Sequence, residues 1–223
     1  MEDIEADYFY DPYLISFFTQ GKISSDKIIY KMHDLIHDLA RLVSTDTCFQ
    51  VKTSHYPLFG NACHLALHYD NVRPIDLKAT HKNERLRTFT VMCKNCGSGV
   101  VKLVKKLFYY LKFARVLDLS NIGLGEVPEP IDHLIYPRYL NNLSNLRHIV
   151  FDVGGKLSSM PQEFGKLTNL QTLTAFVVEN RKGHRIEELK KMDSLRGSLS
   201  IKNIDNVTNA EDAKDSKLDM KLY

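Results

Sequence analysis

The stretch YKMHDLIHDLARLVS, residues 30–44, places His33 and His37 four residues apart, with Asp34 and Asp38 beside them. Four residues is about one helical turn, so both imidazoles can share a helix face, as the two ligands of a zinc protease helix do. That chemistry also needs a general base and a third ligand. HDLIH has Asp34 where the zincin signature has Glu, which shortens the reach to a zinc-bound water, and no spacing marks a third ligand. The second candidate, CKNC at Cys93–Cys96, has the spacing of half a zinc site, but no second CxxC or spaced Cys/His pair follows it. Its cysteines are expected as reduced thiols in a loop, since four cysteines at irregular spacing do not make a disulfide framework. No metal is expected at either place, and no catalytic group stands out.

Periodicity defines the elements that hold the histidines. Leu35, Ile36, Leu39, Ala40 and Val43 recur at helical spacing, so residues 34–44 are expected as a helix, with Asp34 in the first turn, where its charge complements the dipole. His33 then stands at the helix start, where unpaired N–H groups favour an anion. KIIYKM alternates as a strand, TQGKISSD reads as a turn, and EADYFYDPYLISFF reads as a helix packing aromatic and apolar residues. Helix, wing-like hairpin and helix together suggest the end of a winged-helix fold.

Composition sets the frame. Of 223 residues, 43% are hydrophobic and 26% charged, the balance of a globular protein. No apolar run approaches the roughly 18 residues of a membrane span, and MEDIEADYFY is acidic where a signal peptide is basic and then apolar, so a cytoplasmic location is expected. Residues 1–50 hold nine Asp/Glu against four Lys/Arg, residues 51–112 three against eleven, and the remainder fifteen of each. A basic middle segment invites comparison with nucleic-acid binders. Yet residues 1–50, the recognition portion of a winged-helix DNA binder, are acidic, and the basic segment carries no RNA-binding signature, so no nucleic acid is expected.

The second half repeats. An apolar-x-x-apolar-x-apolar phrase occurs as ACHLAL (Ala62, Leu65, Leu67), LRTFTV (Leu86, Phe89, Val91), ARVLDL (Ala114, Leu117, Leu119), LRHIVF (Leu146, Ile149, Phe151) and LQTLTA (Leu170, Leu173, Ala175). LRGSLSI is a looser copy with an extra residue, ending on Leu199 and Ile201. The spacing is that of leucine-rich repeats, in which each phrase is a short strand with its leucines inward, stacked into a parallel concave sheet. The return segments agree in phase: Val127, Pro128, Ile131 and Leu134 match Met160, Pro161, Phe164 and Leu167. Ile122, Gly154 and Val178 stand where such repeats usually carry a buried asparagine, so the solenoid is degenerate. VVKLVKKLFYYLKF, with Val101, Val104, Leu107, Phe108 and Leu111 on one face, reads as a helix packing beneath the sheet. Outward positions near the strands form a mixed polar strip: Arg147, His148, Val150, Asp152, Gln171, Thr172, Thr174, Ser198, Ser200 and Lys202.

YKMHDLIHDLARLVS resembles the MHD motif of plant NB-LRR disease-resistance proteins, nucleotide-switch receptors of the STAND type. DYFYDPYLISFF is similar to the helix before that motif. ARVLDLSNIGLGEVPEPI, GKLTNLQTLTAFVV and LRGSLSIKNIDNVTNAEDA resemble the repeats of the coiled-coil class, in family order. The resemblance implies an α/β chain with three parts. Residues 1–50 would be the end of a winged-helix domain, 51–85 a connector with a first irregular repeat, and 86–223 leucine-rich repeats. It also implies that Met32, His33 and Asp34 are the motif, His33 touching the β-phosphate of ADP and Asp34 holding the motif's geometry, while His37 has no such role. GK occurs at Gly21, Gly155 and Gly165, each time followed by Ile or Leu, so the phosphate-binding GxxxxGK[ST] loop is not in this sequence.

The expectations follow. The chain is a partial receptor, not an enzyme, from a truncated gene, a splice form or an incomplete gene model. ADP or ATP serves the full-length family, and none is expected on this chain alone. Partners are expected to be proteins: a pathogen effector, a guarded host protein or other receptor domains. The alternatives are a winged-helix nucleic-acid binder and a non-functional truncated product.

Overall fold

The computed structural model describes residues 17–20, 30–51, 61–68, 83–93, 111–120, 122, 143–152, 157–207, 210–216 and 218. The chain forms two compact units, Met1–Cys48 and Phe49–Tyr223.

In the first unit, β1 (Phe18–Gln20) pairs antiparallel with β2 (Tyr30–Met32), Phe18 opposite Met32 and Gln20 opposite Tyr30. The helix α1 (Asp34–Val43) follows at once. His33 bridges the two: its N–H donates to the Phe17 carbonyl at 2.9 Å, and its own carbonyl accepts the His37 N–H at 2.9 Å. The hairpin therefore fixes where the helix starts. Phe17 and Phe18 correct the expectation of a helix through ISFF, since Phe17 is in a turn and Phe18 in a strand. Cross-strand pairing with Met32 outweighs a helical period that continues on paper into the turn. The body of that expected helix lies outside the described residues.

The second unit carries a six-stranded sheet in the order β3 (Cys48–Val51), β4 (His64–His68), β5 (Thr88–Met92), β6 (Val116–Leu119), β7 (His148–Phe151), β8 (Thr172–Leu173). From β4 to β8 every pairing is parallel. The register is set by the apolar phrase: Leu65 faces Phe89, Phe89 faces Leu117, Leu117 faces Ile149, and Ile149 faces Leu173. Each member of that column is 4% exposed or less. A slip of one residue would turn the whole set to water, so burial specifies this register strongly.

Strands β6, β7 and β8 are also launched by one backbone device. A turn bonds Ala114 N–H to Leu111 carbonyl at 3.1 Å, Leu146 to Leu143 at 2.8 Å, and Leu170 to Leu167 at 3.1 Å. The next two N–H groups then share one carbonyl of the preceding strand's start: Arg115 and Val116 donate to Arg87 at 2.7 and 2.9 Å, Arg147 and His148 to Arg115 at 2.8 and 2.9 Å. Gln171 and Thr172 repeat this on Arg147 at 2.6 and 3.0 Å. Asparagines tie neighbouring turns together. Asn145 Nδ2 donates to the Lys112 carbonyl at 3.2 Å, Asn169 Nδ2 to Ser144 at 2.8 Å, and the buried Asn83 Nδ2 to Ala62 at 2.7 Å.

The last strands depart from this pattern. At Thr174 the side chain replaces the ladder, its hydroxyl accepting from Phe151 N–H and donating to Phe151 carbonyl, both at 2.8 Å. Beyond it, β9 (Ala175–Val177) pairs in parallel with β10 (Ser200–Lys202), Ser200 opposite Ala175 and Ile201 opposite Phe176. That register shifts the last copy by one residue from the expected match of Leu199 to Leu173. Ala175, Phe176, Val177 and Val178 are all buried, so this strand has no solvent face.

The return segment before β8 is described, and its Met160, Pro161, Phe164 and Leu167 are all buried, with a 3-10 turn at Phe164–Lys166. Its counterpart, Val127, Pro128, Ile131 and Leu134, lies outside the described residues, as do most of VVKLVKKLFYYLKF and Gly154. Ile122 and Val178, at the positions of the missing asparagines, are 2% and 1% exposed, so apolar packing occupies those places. Cys93 is disulfide-bonded, which corrects the expectation of a reduced thiol there, while Cys48 and Cys63 are free. A short helix, α2 (Ala210–Asp215), follows β10.

Candidate functional site

The first candidate site is the start of α1. Met32 is half-buried as the last residue of β2, and His33 and Asp34 are exposed. His33 has extended backbone angles, φ −61° and ψ 140°, and caps the helix without a side-chain hydrogen bond to it. Its ring is thus available to something outside the helix, and no cap from His33 occupies the first-turn N–H groups. Asp34 Oδ1 lies 4.0 Å from Lys31 Nζ, an exposed pair of the kind that contributes little to stability. His37 is one turn further on, with Nδ1 3.6 Å from Asp38 Oδ1. Among the described residues no group of three or more His, Cys, Asp or Glu is placed to hold a metal ion.

The second is the outward face of the larger sheet. Arg147, His148 and Val150 alternate with buried Ile149 and Phe151, and are half-buried themselves. His148 stands opposite Thr172, with Nδ1 3.0 Å from Thr172 Oγ1. Gln171 sits beside Thr172, bonded through its N–H to Arg147, so these five residues form one continuous patch. Asp152 is exposed just beyond β7. Thr174 contributes less than its position suggests, because its hydroxyl is committed to the Phe151 backbone. Ser200 and Lys202 belong to the separate two-stranded sheet with β9, and exposed Ser198 precedes them. The strip therefore falls into two pieces at the Thr174 break.

Two features were not singled out in the sequence. Arg87 and Arg115 occupy the same place before their strands as Arg147, and an arginine second in each of LRTFTV, ARVLDL and LRHIVF was their signal. A polar clasp also closes the return segment: Ser159 Oγ donates to Glu179 Oε1 at 2.7 Å, and Arg181 Nε and Nη2 donate to Glu179 Oε2 at 3.0 and 2.6 Å. Buried His184 places Nδ1 2.9 Å from the Met160 carbonyl and 3.6 Å from Glu179 Oε1. Partial burial pushes the Glu179 carboxyl up, but the Ser159 and Arg181 hydrogen bonds, with the charges of Arg181 and His184, outweigh it and hold the carboxyl below its ordinary range. This is a structural ion cluster, since Ser159 donates to the carboxylate and is not bonded to a base.

Among the described residues no helix is long and apolar enough to cross a membrane. No family model matches the chain. Among curated proteins it is 30% identical, over 99% of its length, to a protein of Solanum bulbocastanum named as a disease resistance protein, RGA1, of which it covers 24%. It is 29% identical, over 100% of its length, to an Arabidopsis thaliana protein of the same description, of which it covers 18%. A third relative, disease resistance protein RGA2 of Solanum bulbocastanum, is 28% identical over 99% of the chain and is covered to 24%. The chain thus spans about a quarter, or less, of the length of the curated relatives it matches.

Proposed function

We propose that this chain, homologous over nearly its whole length to plant disease resistance proteins, is a protein-recognition module of plant defence joined to the histidine segment of a nucleotide-dependent switch. In this reading β4 to β10 are the strands of a leucine-rich-repeat solenoid, and residues 1–50 are the end of a winged-helix domain. The observation that carries it is the ladder Leu65, Phe89, Leu117, Ile149, Leu173, one strand per apolar phrase, with polar residues alternating outward. Stacked strands of this kind offer an extended, rigid surface that small substitutions can retune without disturbing the core. Arg147, His148, Val150, Gln171 and Thr172 form the centre of the partner surface, and the partner is a protein: a pathogen effector, a guarded host protein, or another domain of the receptor. The module acts in the cytoplasm and has no catalytic step of its own.

His33 is the residue of the switch. An exposed imidazole at the start of α1 suits one phosphate oxygen of ADP, with Met32 and Asp34 beside it completing the motif. One imidazole and one helix start fit a single contact and not a pocket, so the chain alone holds ADP too weakly to measure. Isothermal titration is expected to show no heat with ADP. Tight binding lost on His33→Ala would contradict this.

The recognition reading is tested by co-purification from plant tissue with the full chain and with a V150D/T172E double substitution. A partner retained by the first and lost by the second supports the outward face as the contact. Equal retention removes it.

A further inference from the structure

Cys93 stands one residue beyond β5 and is disulfide-bonded. The sequence holds four cysteines, and among the described residues Cys48 and Cys63 are free, which leaves Cys96 to supply the other sulfur. The two belong to CKNC, so the bond closes a ring of four residues. Such a ring takes little freedom from the unfolded chain, because the constraint grows with the length of the closed loop. Nor does β5 depend on it for packing. Phe89 and Val91 are at 0% exposure, and Met92, the last residue of the strand, is already paired with His68. Cys93 itself is half-buried, packed against the core and partly open to solvent. Cys48 is exposed and yet free, so exposure does not select the bonded cysteine, whereas a second thiol three residues away does. One bonded pair beside two free thiols is not a disulfide framework.

We infer that Cys93 and Cys96 form a reversible thiol–disulfide exchange site, closed by a small-molecule disulfide such as oxidised glutathione and opened by a dithiol reductant. The site is independent of the outward partner surface and of His33. In closing, the thiolate of one cysteine attacks a sulfur of oxidised glutathione, which forms a mixed disulfide and releases one glutathione thiolate. The thiolate of the other cysteine then attacks the protein-side sulfur of that mixed disulfide and expels the second glutathione thiolate. The two protons given up by the cysteines pass to the two leaving thiolates. Two protein thiols thus lose two electrons and two protons, and one oxidised glutathione becomes two reduced ones. Because the second attack is intramolecular, across two intervening residues, it outpaces exchange with another molecule. A dithiol reductant runs the same two exchanges in reverse and is itself oxidised to a disulfide.

The test equilibrates the full chain in glutathione buffers of graded oxidised fraction, blocks free thiols with N-ethylmaleimide and reads tryptic peptides by mass spectrometry. Trypsin cleaves after Arg87, Lys94 and Lys102, so the closed site appears as residues 88–94 linked to residues 95–102, and the open site as two alkylated peptides. Expected is a linked fraction that rises with oxidised glutathione and falls at least about tenfold with excess dithiothreitol under native conditions, while Cys48 and Cys63 stay alkylated. In Cys96→Ser, Cys93 should stop at the mixed disulfide with glutathione, and C48S/C63S should keep the linked pair. A Cys93 that stays alkylated at every glutathione ratio overturns the assignment, as does a bond from Cys93 to Cys48 or Cys63. A link that resists dithiothreitol until urea unfolds the chain also overturns it, since the bond is then a fixed part of the fold and not an exchange site.

Discussion

Leu39, on α1, leaves 55% of its surface in water, and Leu117, on β6, leaves 1%. The same contrast holds for their neighbours. Leu35, Leu42 and Val43 are 74%, 71% and 75% exposed, and no residue of α1 is buried, whereas Phe89, Leu146 and Ile149 are at 0%. Both regions are amphipathic at the right period for their structure. The difference lies in what each can cover. A stacked strand buries its apolar side against copies of itself, so the array closes its own core one repeat at a time. A single ten-residue helix beside three-residue strands has no such copy, and helices of that length are marginal without tertiary packing. Among the described residues burial is therefore concentrated in the array, and the backbone bond from His33 to Phe17 ties the start of α1 to the hairpin.

Substitutions that remove packing separate the two regions most sharply. Phe89→Ala is expected to cost about 3–5 kcal/mol in urea denaturation, since its ring is fully buried between Leu65 and Leu117. Leu39→Ala is expected to change the same midpoint by less than about 0.5 kcal/mol. Comparable losses from both would erase the contrast. Within the array, Gly165→Ala is expected to cost about 1–3 kcal/mol, because a Cβ there would collide with the Glu188 backbone carbonyl. Asn169→Ala should cost about 1 kcal/mol, by breaking the bond from one turn to the next at Ser144. If it costs nothing, the asparagines are passengers and the shared carbonyls alone align the strands.

The smallest effect is one of pH. The folded Glu179 carboxyl lies below its ordinary range, so its cluster contributes stability above that range and loses it as pH falls through the folded value. The urea midpoint of Glu179→Gln should therefore sit below that of the parent chain at neutral pH and converge with it in acid. A gap that persists unchanged into acid would mean the glutamine disturbs packing rather than charge.

Leu65, Phe89, Leu117, Ile149 and Leu173 can be placed from residues alone because a two-residue period with one buried face leaves only one register. Val178 and Ile122 show the limit of that reading: the missing asparagines looked like decay, yet apolar side chains fill their places. Asn145 and Asn169, each just before the first leucine of its phrase, carry the cross-turn bonds, a job that periodicity does not flag. Phe18 was misplaced because aromatic residues suit helix and strand alike, and pairing across the hairpin decided between them. The one-residue shift at Ser200 depends on the Thr174 hydroxyl taking a backbone's role, which no pattern of apolar residues encodes. At the histidine segment, position was legible and environment was not: the sequence puts His33 at a helix start but does not say that Leu35 and Leu39 stay in water.

Native-state hydrogen exchange resolves the two regions directly. The amides of Leu117, Ile149 and Phe89 should exchange only through global unfolding, while those of α1 from His37 to Val43 should open with a free energy close to zero. Protection of α1 equal to that of β5 to β7 would contradict the division between a self-sufficient array and a histidine segment that packs little of its own.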